Sequence, residues 1–306
     1  MSSTNPHPSV DLVIDSRRRS LGGGLEVGRV LPWSKHRMVG PFIFFDHIGP
    51  TTFPPQIPKS TDVRPHPHIG LATITYLFVG ELVHRDSLGY HQVIRPGEVN
   101  WMTAGRGITH SERFDTMRER GGPMHGIQAW VALPIEHEEI EPAFFHVDSA
   151  DLPSWDENGA KLKLIAGEAF GRKSPVPTYS PLFYAHAEMP AGTNIVLPDR
   201  YTERAVFVAA GRATVGSTML EAGQMAVLVP KTTADVQAAE SATVMLLGGG
   251  PIGQRFIDWN FVSSSKERID RAKADWRALR MPLPVGDDQE FIPLPEDPPP
   301  PPEPMS

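Results

Sequence analysis

The sequence predicts an all-β protein made of two successive β-barrels. Short runs rich in β-branched and aromatic residues recur about every 8–12 residues, which is typical of a barrel or jelly roll. The chain has 27 glycines and 32 prolines, many of which lie between those runs and mark turns. A length of 306 residues is enough for about two domains. Only one stretch has a convincing helical pattern.

The first predicted barrel extends over residues 1–136. Residues 10–14 form a candidate edge strand, and prolines keep residues 53–67 extended. The other predicted strands of this half lie at residues 41–47, 71–79, 81–85, 91–94, 99–102 and 126–133. Gly80, Gly89 and Pro96-Gly97 separate them, as expected for antiparallel strands joined by tight turns.

A second barrel of the same architecture is predicted over residues 137–262, after an acidic connector at 137–153. Its strands are expected at residues 162–166, 182–188, 194–197, 205–209, 213–215, 225–229 and 243–247. These strands hold a single histidine, His186, and no His-x-His pair. We therefore expect this barrel to lack a metal.

Residues 263–306 are predicted to form one helix and a tail. Ser264 and Glu267 have the spacing of a capping box, and Pro282 should end the helix. The apolar positions of the helix are Ile269, Ala272, Trp276 and Leu279, a face expected to pack on the protein itself. The chain from Asp287 onward is proline-rich and acidic, which predicts a disordered or extended tail, with an SH3-type ligand as the alternative.

Composition excludes several classes of function. The balance of 29 basic against 36 acidic residues gives a formal charge of -7, so no direct nucleic-acid surface is expected. With no cysteine, disulfides, thiolate ligands, iron–sulfur clusters and a cysteine nucleophile are ruled out. The sequence shows neither a signal-peptide pattern nor a membrane span, and we expect a cytoplasmic protein.

Two short clusters carry the candidate chemistry. Residues 64–70 read RPHPHIG and residues 104–112 read AGRGITHSE. Side chains two residues apart on a strand point to the same face. This gives two same-face pairs, His66 with His68 and His110 with Glu112. The strands between them could fold the pairs together, and three imidazoles with one carboxylate suit a first-row divalent metal.

The alternative to a metal site is a set of ordinary histidines. An isolated His-x-His is a weak signal, because such residues are often exposed or simply hydrogen-bonded. The second pair strengthens the prediction, since both pairs flank one set of antiparallel strands. Gly105 and Gly107 allow close backbone approach beside the second pair. We therefore predict a real metal site.

The same residues resemble the pirin family of the cupin superfamily. The matching strings are PHPH at 65–68, TY at 75–76, HRDSLG at 84–89 and WMTAGRGITHSE at 101–112. Residues 41–47 and 126–130 are also similar to that family. The resemblance covers the first half densely and the second half more loosely.

This resemblance implies a bicupin with a mononuclear iron site in the first barrel. The ligands carried over are His66, His68, His110 and Glu112, and the second barrel is implied to be metal-free. A common cupin has a glutamate shortly after His-x-His, whereas residues 69–73 hold no carboxylate. That departure fits the pirin pattern, in which the second cluster supplies the carboxylate.

The family also implies an activity, that of a quercetin 2,3-dioxygenase. A flavonol would bind the metal through its 3-hydroxyl and be cleaved by dioxygen, with release of carbon monoxide and a depside. Glu112 would double as the catalytic base. Only the resemblance favours Fe²⁺, because imidazole and carboxylate also accept manganese, nickel, copper or zinc.

Two other functions compete with the dioxygenase. Pirins are also known as iron-dependent binding partners of transcription factors and metabolic enzymes, and the acidic charge fits such a regulator. A purely structural metal is the third possibility, although three histidines and one glutamate leave open positions that a closed structural site lacks.

Other polar and aromatic residues carry weaker predictions. His84 and His91 are expected in a hairpin, at the surface or in cross-strand hydrogen bonds. His47 and His125 are only minor candidates for positions near the metal, and Gln128 should share a face with Trp130, where core packing is favoured over a contact with the site. The side chains of Phe44, Phe45 and Met102 are candidates for the pocket mouth, with core packing as the alternative.

Overall fold

The protein folds into two β-barrels followed by a C-terminal helix, which confirms the predicted fold class. The structure is a computed structural model and describes residues 9–22 and 25–296. Each barrel is a sandwich of one large and one small antiparallel sheet. Among the described residues, no helix is long and apolar enough to cross a membrane.

The first part of the chain supplies twelve strands and one short helix, α1 (Asp115–Arg120). The strands are β1 (Val10–Asp15), β2 (Arg17–Gly22), β3 (Leu25–Leu31), β4 (Phe42–Phe53), β5 (Val63–His68), β6 (Leu71–Val79), β7 (Leu82–Asp86), β8 (His91–Ile94), β9 (Val99–Thr103), β10 (Ile108–Arg113), β11 (Gly122–Ala132) and β12 (Ala143–Val147). Eleven of them, all except β1, form a seven-stranded sheet in the order β12-β9-β6-β11-β4-β3-β2 and a four-stranded sheet in the order β5-β10-β7-β8.

The second part forms the second barrel and the helix α2 (Lys266–Arg277). Its strands are β13 (Ser154–Glu157), β14 (Ala160–Ala169), β15 (Arg172–Lys173), β16 (Leu182–Met189), β17 (Asn194–Leu197), β18 (Glu203–Ala210), β19 (Arg212–Val215), β20 (Thr218–Glu221), β21 (Gln224–Leu228), β22 (Ala234–Ala238), β23 (Ala242–Gly249), β24 (Phe256–Asp258) and β25 (Phe261–Ser263). The large sheet runs β1-β21-β18-β23-β16-β14-β13, with β15 paired to β14. The small sheet runs β17-β22-β19-β20, and β24 pairs with β25.

The two barrels exchange chain segments. Strand β1 is an edge strand, as predicted, but it pairs with β21 of the second barrel. Strand β12, which lies in the predicted connector, pairs with β9 of the first barrel. The domain boundaries at 136/137 and 262/263 stay predictions, because segments on each side of the first boundary contribute to the opposite barrel.

The large sheet of the first barrel has two differently used faces. Alternation along β4 directs Phe44 and Asp46 toward the interior cavity of the barrel. Phe45 belongs to an apolar cluster shared with the second barrel, where its ring lies 4.9 Å from that of Phe207. One face of this sheet therefore lines the cavity, and the other face packs against the second barrel.

The C-terminal helix is confirmed, with two corrections in detail. The N-cap is Ser265 rather than Ser264, because the Ser265 side chain accepts a hydrogen bond from the Arg268 backbone N–H. Ile269, Ala272 and Trp276 are buried as predicted. Leu279 lies beyond the end of the helix and is 60% exposed, so its assignment to the packed face was wrong.

Residues 287–296 form neither helix nor strand, in agreement with the extended form of the predicted tail. This segment returns to the first barrel, where the Ile292 backbone N–H donates to the Pro65 carbonyl at 2.8 Å. The Trp276 indole N–H in turn donates to the Ile292 carbonyl at 3.0 Å. The run of prolines at 298–302 lies outside the described residues.

Buried histidines lie at the contact between the two barrels. The Nε2 atoms of His47 and His125 are 2.7 Å apart, and the Tyr76 hydroxyl is 2.9 Å from Nδ1 of His186. Burial lowers the pKa of His47 and of His186 to about 3. Both side chains are therefore neutral in the folded protein at ordinary pH.

Acid should destabilise this contact. Below about pH 6.5 an unfolded histidine binds a proton, whereas His186 resists protonation until about pH 3. The free energy of unfolding therefore falls as pH falls through this window, by on the order of 1.4 kcal/mol per pH unit per histidine. We expect His186→Gln to lose less stability between pH 6.5 and pH 5 than wild type in urea unfolding. The exposed-site variant His91→Gln is the control, and an unchanged slope in His186→Gln would contradict the account.

Candidate metal centre

The site is built on two neighbouring strands of the small sheet in the first barrel. In the register of β5 with β10, His110 lies directly opposite His66, and Ile108 lies opposite His68. Directly opposed residues of an antiparallel pair share a face. The predicted convergence of His66, His68 and His110 is therefore observed, and their candidate ligand atoms lie within 4.8 Å of one another.

Backbone carbonyls orient two of the three imidazoles. Nδ1 of His66 is 2.8 Å from the Arg64 carbonyl, and Nδ1 of His68 is 3.0 Å from the Asn260 carbonyl. An imidazole that donates its Nδ1–H in this way keeps the Nε2 lone pair for a metal, an arrangement usual for metal-bound histidines. Asn260 comes from the segment between β24 and β25, so the chain beyond the second barrel fixes a residue of the first.

Glu112 lies beside the histidines but less centrally. Its Oε1 is 3.6 Å from Nδ1 of His110, and it lines the same cavity as His66 and His68. A bulge between His110 and Glu112 interrupts the pairing with β5. The three imidazoles form the compact group, and the role of Glu112 as a fourth ligand stays a prediction.

The electrostatics of these residues suit a cation. Burial lowers the pKa of His66 to about 4 and holds those of His68 and His110 well below their usual value. Burial also raises the pKa of Glu112 to about 8. Neutral imidazoles are the form that binds a metal, and the site has no positive charge of its own among these side chains.

Unpaired buried atoms provide a direct test of fit. Within the described parts of the chain, both ring nitrogens of His110 and Oε2 of Glu112 are buried without a hydrogen-bond partner. Buried polar atoms are rarely left in that state. A metal ion bound by the histidines, with Glu112 beside it, would satisfy them, so the residues present fit such an ion.

A cavity of about 410 Å³ opens beside the histidines. One wall is a stack in which Phe44 lies parallel to Trp130 at 3.9 Å, and the Trp130 ring meets His68 edge-on at 4.9 Å. The Arg29 guanidinium covers Phe44 at 4.3 Å and binds Asp46 through two hydrogen bonds of 2.8 Å. The volume lies within the usual range for small-molecule sites.

Known proteins share both sequence and fold with this chain. The family described as Pirin matches residues 24–131, and the Pirin C-terminal cupin domain matches residues 184–282. A pirin-like protein of Caulobacter vibrioides is 62% identical over 94% of this chain and all of its own length.

The chain belongs to the pirin family.

Two further relatives of this pirin carry a named activity. A Pseudomonas aeruginosa protein, for which quercetin 2,3-dioxygenase activity is proposed, is 41% identical over 86% of this chain and 82% of its own. The quercetin 2,3-dioxygenase from Acinetobacter baumannii, known from a crystal structure, has 32% sequence identity to this chain. The two structures superimpose with a TM-score of 0.86, over 94% of this chain and 95% of that one.

The hydrogen bond between His84 and Asp86 in this pirin was not predicted from the sequence. The expected hairpin of β7 and β8 is present, but His84 is buried rather than at the surface. Its Nε2 is 2.9 Å from Asp86 along the same strand, and its ring lies 5.3 Å from that of His110. His84 is opposite Glu112 on β10, a neighbourhood that the His-x-Asp spacing at 84–86 could have indicated.

The weaker predictions divide between the cavity and the core. Phe44 and Gln128, for which core packing was the favoured expectation, line the cavity together with Trp130. Phe45 lies in the apolar core between the barrels, and Met102 packs in the core beside the cavity. His47 and His125, which were minor candidates for positions near the metal, occupy the contact between the barrels.

The C-terminal segment clamps the metal-binding strand from outside. Ser111 and Arg113 alternate with His110 and Glu112 on β10, so they point away from the cavity. Asp287 accepts hydrogen bonds from the Ser111 hydroxyl at 2.6 Å and from Arg113 at 2.6 and 2.7 Å. The clamp therefore fixes the backbone that presents Glu112.

We expect His110→Ala to remove the metal. The purified wild-type protein should hold about one divalent ion per chain more than the variant, because the variant loses one of the three clustered donors of the cavity site. Metal analysis by mass spectrometry measures this. The exposed histidine variant His91→Ala is the control and keeps the ion. Retention of the ion by His110→Ala would contradict the assignment.

We expect Asp287→Asn to weaken metal binding about tenfold, the lower end of the effect of removing a supporting contact around a metal ligand. Asp288→Asn is the matched control, since Asp288 is exposed and its Oδ1 accepts only from Gln289. Competition with a chelator measures both affinities. Equal affinities in the two variants would show that the clamp does not support the site.

Proposed function

We propose that this pirin is a mononuclear metal-dependent dioxygenase that cleaves flavonol-like substrates, as a quercetin 2,3-dioxygenase does. The observation that carries the proposal is the group of three neutral, convergent imidazoles at the side of a cavity large enough for a small aromatic ligand. The activities named for the Pseudomonas and Acinetobacter relatives support the same reaction class.

His66, His68 and His110 would hold the ion, with Glu112 as the fourth ligand. When bound, a divalent metal, iron by family resemblance, supplies a Lewis-acid and redox centre for the reaction of dioxygen with an enol. Nδ1 of His66 and of His68 is engaged by a backbone carbonyl, so both rings are held in the tautomer that binds through Nε2.

The aromatic wall suits a flat substrate. Phe44 and Trp130 form a rigid stack, backed by Arg29 on the far side of Phe44. A flavonol ring system could lie along this surface, since aromatic pairs prefer such offset or edge contacts. Gln128, which is 2.8 Å from the Thr75 hydroxyl, lines the same cavity and can hydrogen-bond a substrate oxygen.

Glu112 is the candidate base. Burial raises its pKa to about 8, which makes the ionised form of Glu112 a stronger base than an exposed carboxylate, and this form can accept the proton of a flavonol 3-hydroxyl. Oε2 of Glu112 is buried and unpaired among the described residues, which leaves that atom free for the proton.

We expect Glu112→Gln to lower turnover of quercetin by about 100-fold or more, the usual effect of removing a general base. Oxygen uptake and carbon monoxide release, measured with equal metal content in each sample, test the expectation. The control is Glu119→Gln, an acidic residue at an exposed position of α1.

The proposal fails if wild-type protein with a full complement of metal consumes no oxygen with quercetin or related enols. In that case the protein would still bind a metal, and the alternative function would replace the dioxygenase. That alternative is a non-catalytic, metal-dependent binding partner of another protein. Turnover equal to wild type in Glu112→Gln would instead remove Glu112 from the proposed mechanism and leave the activity standing.

A further inference from the structure

A second cluster of metal-binding side chains lies at the edge of the large sheet of the first barrel. In the pairing of β12 with β9, His146 is directly opposite Asn100 and Val147 is opposite Val99. Continuation of this register places Asp148 opposite Glu98. Residues two apart on a strand share a face, so Glu98, Asn100, His146 and Asp148 form one polar square.

The donor atoms in this square are close together. Nε2 of His146 is 3.4 Å from Oδ1 of Asp148 and 3.7 Å from Oε2 of Glu98. Candidate ligand atoms of all three residues lie within 4.8 Å of one another. The Arg95 backbone N–H donates to Oε2 of Glu98 at 2.7 Å, so this carboxylate is held in place before any ion binds.

Asn100 fixes the orientation of the imidazole. Its Oδ1 lies 2.7 Å from Nδ1 of His146, and Asn100 itself is only 3% exposed. An amide oxygen can only accept, so Nδ1 donates to Asn100 and Nε2 is the ring nitrogen directed at the two carboxylates. A divalent cation between Nε2 and these carboxylates would balance their negative charge.

We propose that Glu98, His146 and Asp148 bind a second divalent ion, zinc, independently of the site in the cavity. Zinc at about 2.0–2.1 Å from each of its ligands separates them by about 3.3–3.4 Å in a tetrahedron. The observed separations of 3.4 and 3.7 Å are close to that edge length. A proton on Nε2 would instead favour charge-assisted hydrogen bonds of about 2.7–2.9 Å.

The position of the cluster leaves room for the ion and for water as a fourth ligand. The Asp148 side chain is 68% exposed, whereas those of His146 and Glu98 are 17% and 14% exposed. The nearby ammonium of Lys163 is engaged by oxygens of Gly97 and Ser149. A zinc ion here would tie β9 to the end of β12, where the chain leaves for the second barrel.

The test is zinc titration of the full-length protein with its first site already filled, by calorimetry and metal analysis. Wild type should bind one further equivalent of zinc, and Asp148→Asn and His146→Gln should weaken that step at least tenfold. Asp151→Asn, an exposed acidic residue in the same turn, is the matched control and should bind like wild type.

The proposal is overturned if wild type takes up no zinc beyond the first site, or if Asp148→Asn and His146→Gln bind zinc as wild type does. Because Asp148 is mostly exposed, its variant should fold normally, which thermal melting verifies. His66→Ala removes the cavity site and should retain the edge zinc. Failure of the dioxygenase proposal is therefore distinguishable from failure of this one.

Discussion

The site depends on the burial of groups that a single cation can satisfy together. His66, His68 and His110 converge inside a barrel, and Glu112 lies next to them with an unpaired oxygen. Each unsatisfied buried polar group lowers the free energy of unfolding by about 1–3 kcal/mol. Other contacts within the barrel must therefore hold these side chains together. The direct opposition of His66 and His110 across β5 and β10 provides this constraint.

Contacts on both sides of β5 and β10 hold these two strands in register. On the inner side, the stack of Phe44 and Trp130 borders the histidines and shapes the cavity. On the outer side, Asp287 binds the residues that alternate with the ligands on β10. The carbonyl of Asn260 orients His68 from a segment that follows the second barrel. The chain that follows the second barrel thus contributes to a site whose candidate ligands lie in the first.

Local periodicity explains how much of this could be predicted from the sequence. His-x-His and His-x-Glu specify same-face pairs by spacing alone, and turn residues between the strands indicated that the pairs meet. The pairing of β1 with β21, the clamp between Asp287 and Arg113, and the burial of His84 all join residues that are distant in sequence or depend on a third strand. Composition predicted a disordered or extended tail from Asp287. It could not show that Ile292 pairs with Pro65, since no local sequence pattern indicates that contact.

The most direct test of the central claim is a crystal structure of the metal-loaded protein with anomalous diffraction recorded at the absorption edge of the bound metal. The account predicts a peak in the cavity of the first barrel, with Nε2 of His66 and of His68, a ring nitrogen of His110 and a carboxylate oxygen of Glu112 at about 2.0–2.2 Å. A peak that lacks these histidines as ligands, or no peak in the cavity of a protein shown to contain metal, would contradict it.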